Sequence, residues 1–255
     1  MGNEHLNVVI EPNGTLTLTD LSNGQVYLQL LTLEDRADIG DGWYFGESIN
    51  DQIFTSALSA GEIALIQDGP LQATFLLRQK MHVPEKFDFK HMYRSKETIP
   101  LSISHYITLR KEQDFLEVET VIENTAEDHR LRVLFPSGTK TDTYLADSAF
   151  DVVERPIALR TDNHLYREME VETKPQQSWT AVFDEQRGLA VISAGLLETA
   201  VRDIAERPLA LTLFRGTKKT VGTTGEPGGQ EKGERLGGQS MFAPGAAMQR
   251  VKSPH

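Results

Sequence analysis

Apolar and polar positions alternate with a period of two along much of this chain, and helical spacing is rare. In SISHYITL, Ile103, His105, Ile107 and Leu109 fall on one face and Ser104, Tyr106 and Thr108 on the other, which predicts a half-buried strand. FLEVETVI repeats the pattern after the short link KEQD, and RLRVLF follows ENTAEDH, so residues 101–135 are expected to form a three-strand antiparallel meander. Near the start, NVVIEPNGTLTLTDLSNGQVYLQL places Asn13-Gly14 and Asn23-Gly24 between apolar runs. Asn-Gly readily takes the positive φ values of tight hairpin turns, so two hairpins are expected there. Further strands are predicted at LQATFLLRQKMHV, SWTAVFD, GLAVISAG and PLALTLF. Each sheet has an apolar face that must be covered, so the pattern predicts an all-β fold of large antiparallel sheets packed face to face.

The last forty residues break the pattern: they are glycine-dense and poor in apolar periodicity. The expected organisation is one β-domain over residues 1–215 and a glycine-rich tail over 216–255, partly mobile or loosely docked. A net charge of -11, with no Lys/Arg-dense stripe, opposes nucleic acid and anionic membranes as partners. With no cysteine there is no disulfide and no thiolate ligand or nucleophile, which suits a reducing cytoplasm. MGNEHLNVVI lacks a basic region followed by an apolar core, and stretches such as GLAVISAGLL are too short to span a bilayer. A soluble, cytoplasmic protein is expected.

Candidate chemistry concentrates in two places. Asp128-His129-Arg130 could hold a general base, but strand alternation sends its side chains to opposite faces, which favours a structural role. LEDRADIGDGWYFGESIND, residues 33–51, sets Glu34, Asp35, Asp38 and Asp41 before Trp43-Tyr44-Phe45 in an apparent loop. Aromatic rings stack on the apolar faces of sugars while carboxylates accept from hydroxyls, so the loop is a candidate carbohydrate contact; the alternative is an acidic surface loop anchored by buried aromatics. The segment lacks the carboxylate ladder of a calcium loop, and His82 and His91 have no metal-ligand spacing. ADSAFDVVERP reads as a strand edge.

The succession NGTLTLTD, LEDRADIGDGWYF, ENTAEDHRLRVLFPSG, ADSAFDVVERP and PLALTLFRG resembles the C-terminal β-region of family 38 glycoside hydrolases, the α-mannosidases of bacterial type, over residues 6 to 216. The resemblance implies a galactose-mutarotase-like supersandwich and a role in hydrolysis of α-mannosides. It also implies a catalytic barrel elsewhere that carries the aspartate nucleophile and a zinc ion, leaving no cofactor and no catalytic residue in this chain. On the same basis the substrate-facing residues are Asp41, Trp43 and Tyr44 on the acidic loop and Arg215 at the end of LALTLFRG. Family members finish with one more alternating strand, and QSMFAPGAAMQRVKSPH shows little alternation. Two further readings stay open. One is a free-standing carbohydrate-binding or mutarotase-like epimerase with His105 as its acid; the other is a structural or homo-oligomerising domain.

Overall fold

The computed structural model describes residues 1–166 and 169–218 in full and, as backbone, 246–252. β1 (Leu6–Ile10), β2 (Leu16–Asp20) and β3 (Val26–Leu30) join at the two Asn-Gly turns, where Gly14 and Gly24 have φ of +80° and +74°. They form a small antiparallel sheet in which Leu6 faces Asp20 and Leu18 faces Tyr27. Then come β4 (Thr32–Ala37), β5 (Phe54–Thr55), β6 (Gly61–Asp68), β7 (Gln72–Pro84), β8 (Phe87–Asp88), β9 (Tyr93–Arg94) and β10 (Thr98–Arg110). β11 (Phe115–Glu123), β12 (His129–Phe135), β13 (Thr143–Ser148), β14 (Asp151–Pro156), β15 (Lys174–Pro175) and β16 (Trp179–Phe183) follow. β17 (Gly188–Ser193), β18 (Glu198–Val201), β19 (Leu209–Arg215) and β20 (Ala246–Lys252) complete the described strands.

Two large antiparallel sheets dominate. The nine-stranded sheet runs β14-β13-β16-β17-β20-β11-β10-β7-β6 and the six-stranded sheet β15-β18-β19-β12-β4-β5, while β8 and β9 pair as a separate hairpin. Period-2 alternation explains why they pack. β10 buries Leu101, Ile103, His105, Ile107 and Leu109, and β11 buries Leu116, Val118, Thr120 and Ile122. Leu131, Val133 and Phe135 of β12 and Leu209 and Leu211 of β19 join them in one core, which also takes in Leu6 and Leu18 of the small sheet. The expected all-β class holds.

Two expectations change. β10 and β11 pair antiparallel as predicted, with His105 opposite Thr120, but β12 is not the third strand of a meander. It lies between β19 and β4 in the other sheet. Residues 124–128 carry the chain across, and Asp128 turns it with a φ of +54°. The Asp128 N–H donates to the Gly216 carbonyl at 2.7 Å and its own carbonyl accepts from the Asp38 N–H at 2.9 Å. A period of two marks a half-buried strand but not which sheet it joins.

The second change concerns the tail. β20 pairs with β11 on one side and β17 on the other, so residues 246–252 are a central strand and not a loosely docked end. Ladder bonds on both edges can hold a strand whose side chains alternate weakly. The rest of the expected tail beyond residue 218 lies outside the described residues. Among the described residues no helix is long and apolar enough to cross a membrane.

Candidate functional site

Residues 38–46 form a small, tightly braced loop at the end of β4. Its neck closes where the Ile39 N–H donates to the Gly46 carbonyl at 2.9 Å, and its tip is a turn in which the Asp41 N–H donates to the Tyr44 carbonyl at 3.2 Å. Gly40 and Gly46 lie back to back in that neck: a Cβ on either would fall well inside contact distance of the other's backbone. Only glycine fits both positions.

Asp38 is the hub of the loop. Its fully buried carboxylate accepts from the N–H groups of Gly40 at 3.0 Å and Gly46 at 3.1 Å, and from Arg215 Nε at 2.7 Å. Arg215 also donates through Nη2 to the carbonyls of Asp41 at 2.7 Å and Tyr44 at 2.5 Å. One guanidinium thus holds both ends of the tip turn, and the Thr217 hydroxyl donates to the Gly40 carbonyl at 3.1 Å. Asp41 caps the turn from within, its Oδ1 accepting from the Trp43 N–H at 2.8 Å. Among the described residues no donor meets its Oδ2. Trp43 and Tyr44 project outward, 79% and 62% exposed.

Beneath the loop, alternation on β4 and β12 sends Asp35 and His129 toward the core and Glu34, Arg36, Arg130 and Arg132 to the outer face of the six-stranded sheet. Asp35 is fully buried and takes two partners, Arg94 of β9 and His129 Nδ1. His129 Nε2 faces Asn124 Oδ1 at 3.0 Å, and that oxygen is oriented by accepting the Ala126 N–H at 3.1 Å. Both ring nitrogens of His129 therefore lie against side-chain oxygens, which fixes the ring in the sheet.

On the outer face Glu34 accepts from Arg132 Nη2 at 2.6 Å and Arg202 Nη1 at 2.9 Å, and Glu172 accepts from Arg132 Nη1 at 2.7 Å. Burial pushes the Glu172 carboxyl upward, but the charges of Arg132 and Arg202 outweigh it and hold the group below the ordinary carboxylate range. Burial likewise opposes the Arg132 charge, and Glu34 and Glu172 more than restore it. Arg36 pairs with Glu47 and with Asp51, where burial raises the Asp51 carboxyl despite that partner. These three line a shallow cavity of about 310 Å³ with Ser48 and Ile49.

Of the residues singled out in the sequence, Asp41, Trp43, Tyr44 and Arg215 come together in one loop. Arg215 reaches it from β19, 171 residues further along the chain than Tyr44. Glu34 and Asp35 are strand residues whose carboxylates are consumed by arginine and histidine, not members of an acidic loop. Asp128-His129-Arg130 does not converge, as alternation predicts. His105, the acid of the epimerase reading, is wholly buried with Nδ1 2.9 Å from the Thr120 hydroxyl. Sequence reasoning missed Asp38 as the hub and the Gly40/Gly46 neck; the signal available was a pair of glycines flanking the exposed aromatics. Among the described residues no three His, Asp or Glu side chains gather as a metal site.

The family described as Glycosyl hydrolases family 38 C-terminal domain matches residues 1–220. A "Putative mannosylglycerate hydrolase" of Halalkalibacterium halodurans is 29% identical over 240 residues, covering 89% of this chain and 26% of that protein. The crystal structure of an alpha-mannosidase from Enterococcus faecalis V583 matches with a TM-score of 0.84 at 29% identity, covering 100% of this chain and 29% of that one. A protein in glycosyl hydrolase family 38 from Enterococcus faecalis matches with a TM-score of 0.80 at 29% identity, covering 100% of this chain and 30% of its own. This chain spans under a third of the length of these relatives.

Proposed function

This chain belongs to the family of glycosyl hydrolase family 38 C-terminal domains, and on that premise we propose that it is the non-catalytic β-domain of a zinc-dependent, retaining α-mannosidase. Its task is to support a catalytic barrel and to lend sugar contacts from the loop at residues 38–46. The observation that carries this reading is the loop tip: two exposed aromatic rings and a carboxylate oxygen that has no donor among the described residues, braced by buried Asp38 and Arg215.

Trp43 and Tyr44 supply faces on which the apolar side of a mannose ring stacks, and Asp41 Oδ2 accepts from its hydroxyls. Arg215, spent on Asp38 and on two loop carbonyls, acts by holding the tip in place. The rigid brace matters because a contact ordered in advance loses less entropy on binding. The reading assigns the zinc ion and the nucleophile to another part of the longer enzyme, and the buried His129–Asp35 pair of this chain is engaged by Arg94 and Asn124. When bound there, zinc would supply Lewis-acid and orienting chemistry to the sugar.

Titrating the chain with methyl α-mannoside while following Trp43 by NMR tests the contact. The expected result is a saturable shift at the Trp43 indole, with Tyr44→Ala weakening binding about fivefold, the equivalent of ~1 kcal/mol. No shift at Trp43 would remove the sugar contact. Added to an aryl α-mannoside with zinc, the chain alone is expected to give no turnover; robust hydrolysis abolished by a single Asp→Asn change would overturn the non-catalytic reading.

A further inference from the structure

The ladder register sets Arg36, Arg130 and Arg215 side by side on β4, β12 and β19. Like charges in directly opposed positions repel, so each needs compensation. Arg36 has Glu47 and Asp51, and Arg215 has Asp38 and two carbonyls. Arg130, the buried middle member, makes no ion pair among the described residues. It donates one hydrogen bond, from Nη1 to the Thr173 hydroxyl at 3.1 Å, and its buried Nε has no partner there. Its guanidinium carbon lies instead 3.4 Å from the centroid of the Phe45 ring, the residue directly after Trp43-Tyr44.

A desolvated guanidinium is drawn to a ring face more strongly than a solvated one, and a carboxylate partner would compete with that attraction. We propose that Arg130 is a positioning residue of the sugar-facing loop: its unpaired charge draws the Phe45 ring onto the sheet and so fixes the direction in which Trp43 and Tyr44 project. The proposal rests on the sugar-contact reading above for its functional meaning, but not for its geometry. It also separates order in the loop from stability of the fold. Burial opposes the Arg130 charge, and Glu172, Asp38 and Glu198 favour it only from beyond ion-pair distance, so an apolar side chain of similar length breaks no ion pair and is expected to leave the stability of the fold little changed. A residue kept for stability would show a loss.

The test uses the full chain carrying Trp179→Phe, so that Trp43 is the sole indole. Arg130→Met, Arg130→Lys and Phe45→Leu are compared by urea midpoint, Trp43 fluorescence anisotropy and affinity for methyl α-mannoside. Arg130→Met is expected to keep the midpoint, to lower Trp43 anisotropy and to weaken mannoside binding about fivefold, with partial rescue in Arg130→Lys. Phe45→Leu is expected to free Trp43 in the same way, and it decides the matter if Arg130→Met fails to fold. Unchanged anisotropy in a folded Arg130→Met, or in Phe45→Leu, overturns the proposal. If the parent chain ignores mannoside while Arg130→Met still frees Trp43, the positioning role stands and the sugar reading falls. If both bind mannoside equally with the same anisotropy, the positioning role falls and the sugar reading stands.

Discussion

Asp128, His129 and Arg130 are adjacent in sequence and do three separate things. Asp128 turns the chain between sheets, His129 points inward to Asp35, and Arg130 points outward beneath Phe45. That divergence is legible in the sequence because alternation is local. The partners are not legible: Asp35 is 94 residues from His129 and Glu34 is 98 from Arg132, and only the register of β4 against β12 brings them together. The consequence is testable at one atom. Asp35→Asn leaves Arg94 and His129 buried without their anion, and breaking such a pair costs ~3–5 kcal/mol. Asp41→Asn, at the loop tip, should cost under ~1 kcal/mol. Urea unfolding of the two variants checks this, and equal losses would mean that the buried network does not hold the sheet to the loop.

Among elements, the hairpins were readable where turn chemistry is explicit, at Asn13-Gly14 and Asn23-Gly24. The pairings of β12 and β20 were hidden, because a strand's own pattern reports burial of its faces and not its neighbours. Glycine 46 shows the same split. Its neighbours in sequence mark a turn, but the reason for glycine is the backbone of Gly40 across the neck. Gly24, by contrast, has open space around it and only its φ to satisfy. Gly24→Ala is therefore expected to cost ~1 kcal/mol through backbone strain alone. Gly46→Ala must prise the neck open, which should mobilise Trp43 while costing the whole fold no more than ~3 kcal/mol; Trp43 anisotropy and urea midpoints together separate the two. At a larger scale, ending the chain at residue 218 removes β20 and exposes the facing edges of β11 and β17 in the middle of the nine-stranded sheet. Such a truncation is expected to aggregate, and a monomeric, cooperatively unfolding product in size-exclusion chromatography and denaturation would contradict the central placement of β20.

For the whole molecule, two kinds of buried charge chemistry make stability depend on pH in separable windows. His105 sits in the face of the nine-stranded sheet that faces the core, and burial pushes its pKa down to about 3. The unfolded chain holds this histidine near ~6.5, so below that pH the unfolded state takes up a proton that the folded state refuses. Stability is therefore complete above pH ~6.5 and drains away as pH falls toward the folded value, by ~2 kcal/mol between pH ~6.5 and ~5. Glu172 is depressed by Arg132 and Arg202, so its contribution is intact above the ordinary glutamate range and is lost only at more acid pH. His105→Gln, which stays neutral and can still meet the Thr120 hydroxyl, should flatten the first window and leave the second unchanged. Urea unfolding of both proteins at intervals from pH 8 to pH 4 reads the two slopes directly. If the variant loses stability as steeply as the parent between pH 6.5 and 5, burial of His105 is not the source of the acid sensitivity, and the carboxylates bound to the arginines of the outer face must act earlier than their partners allow.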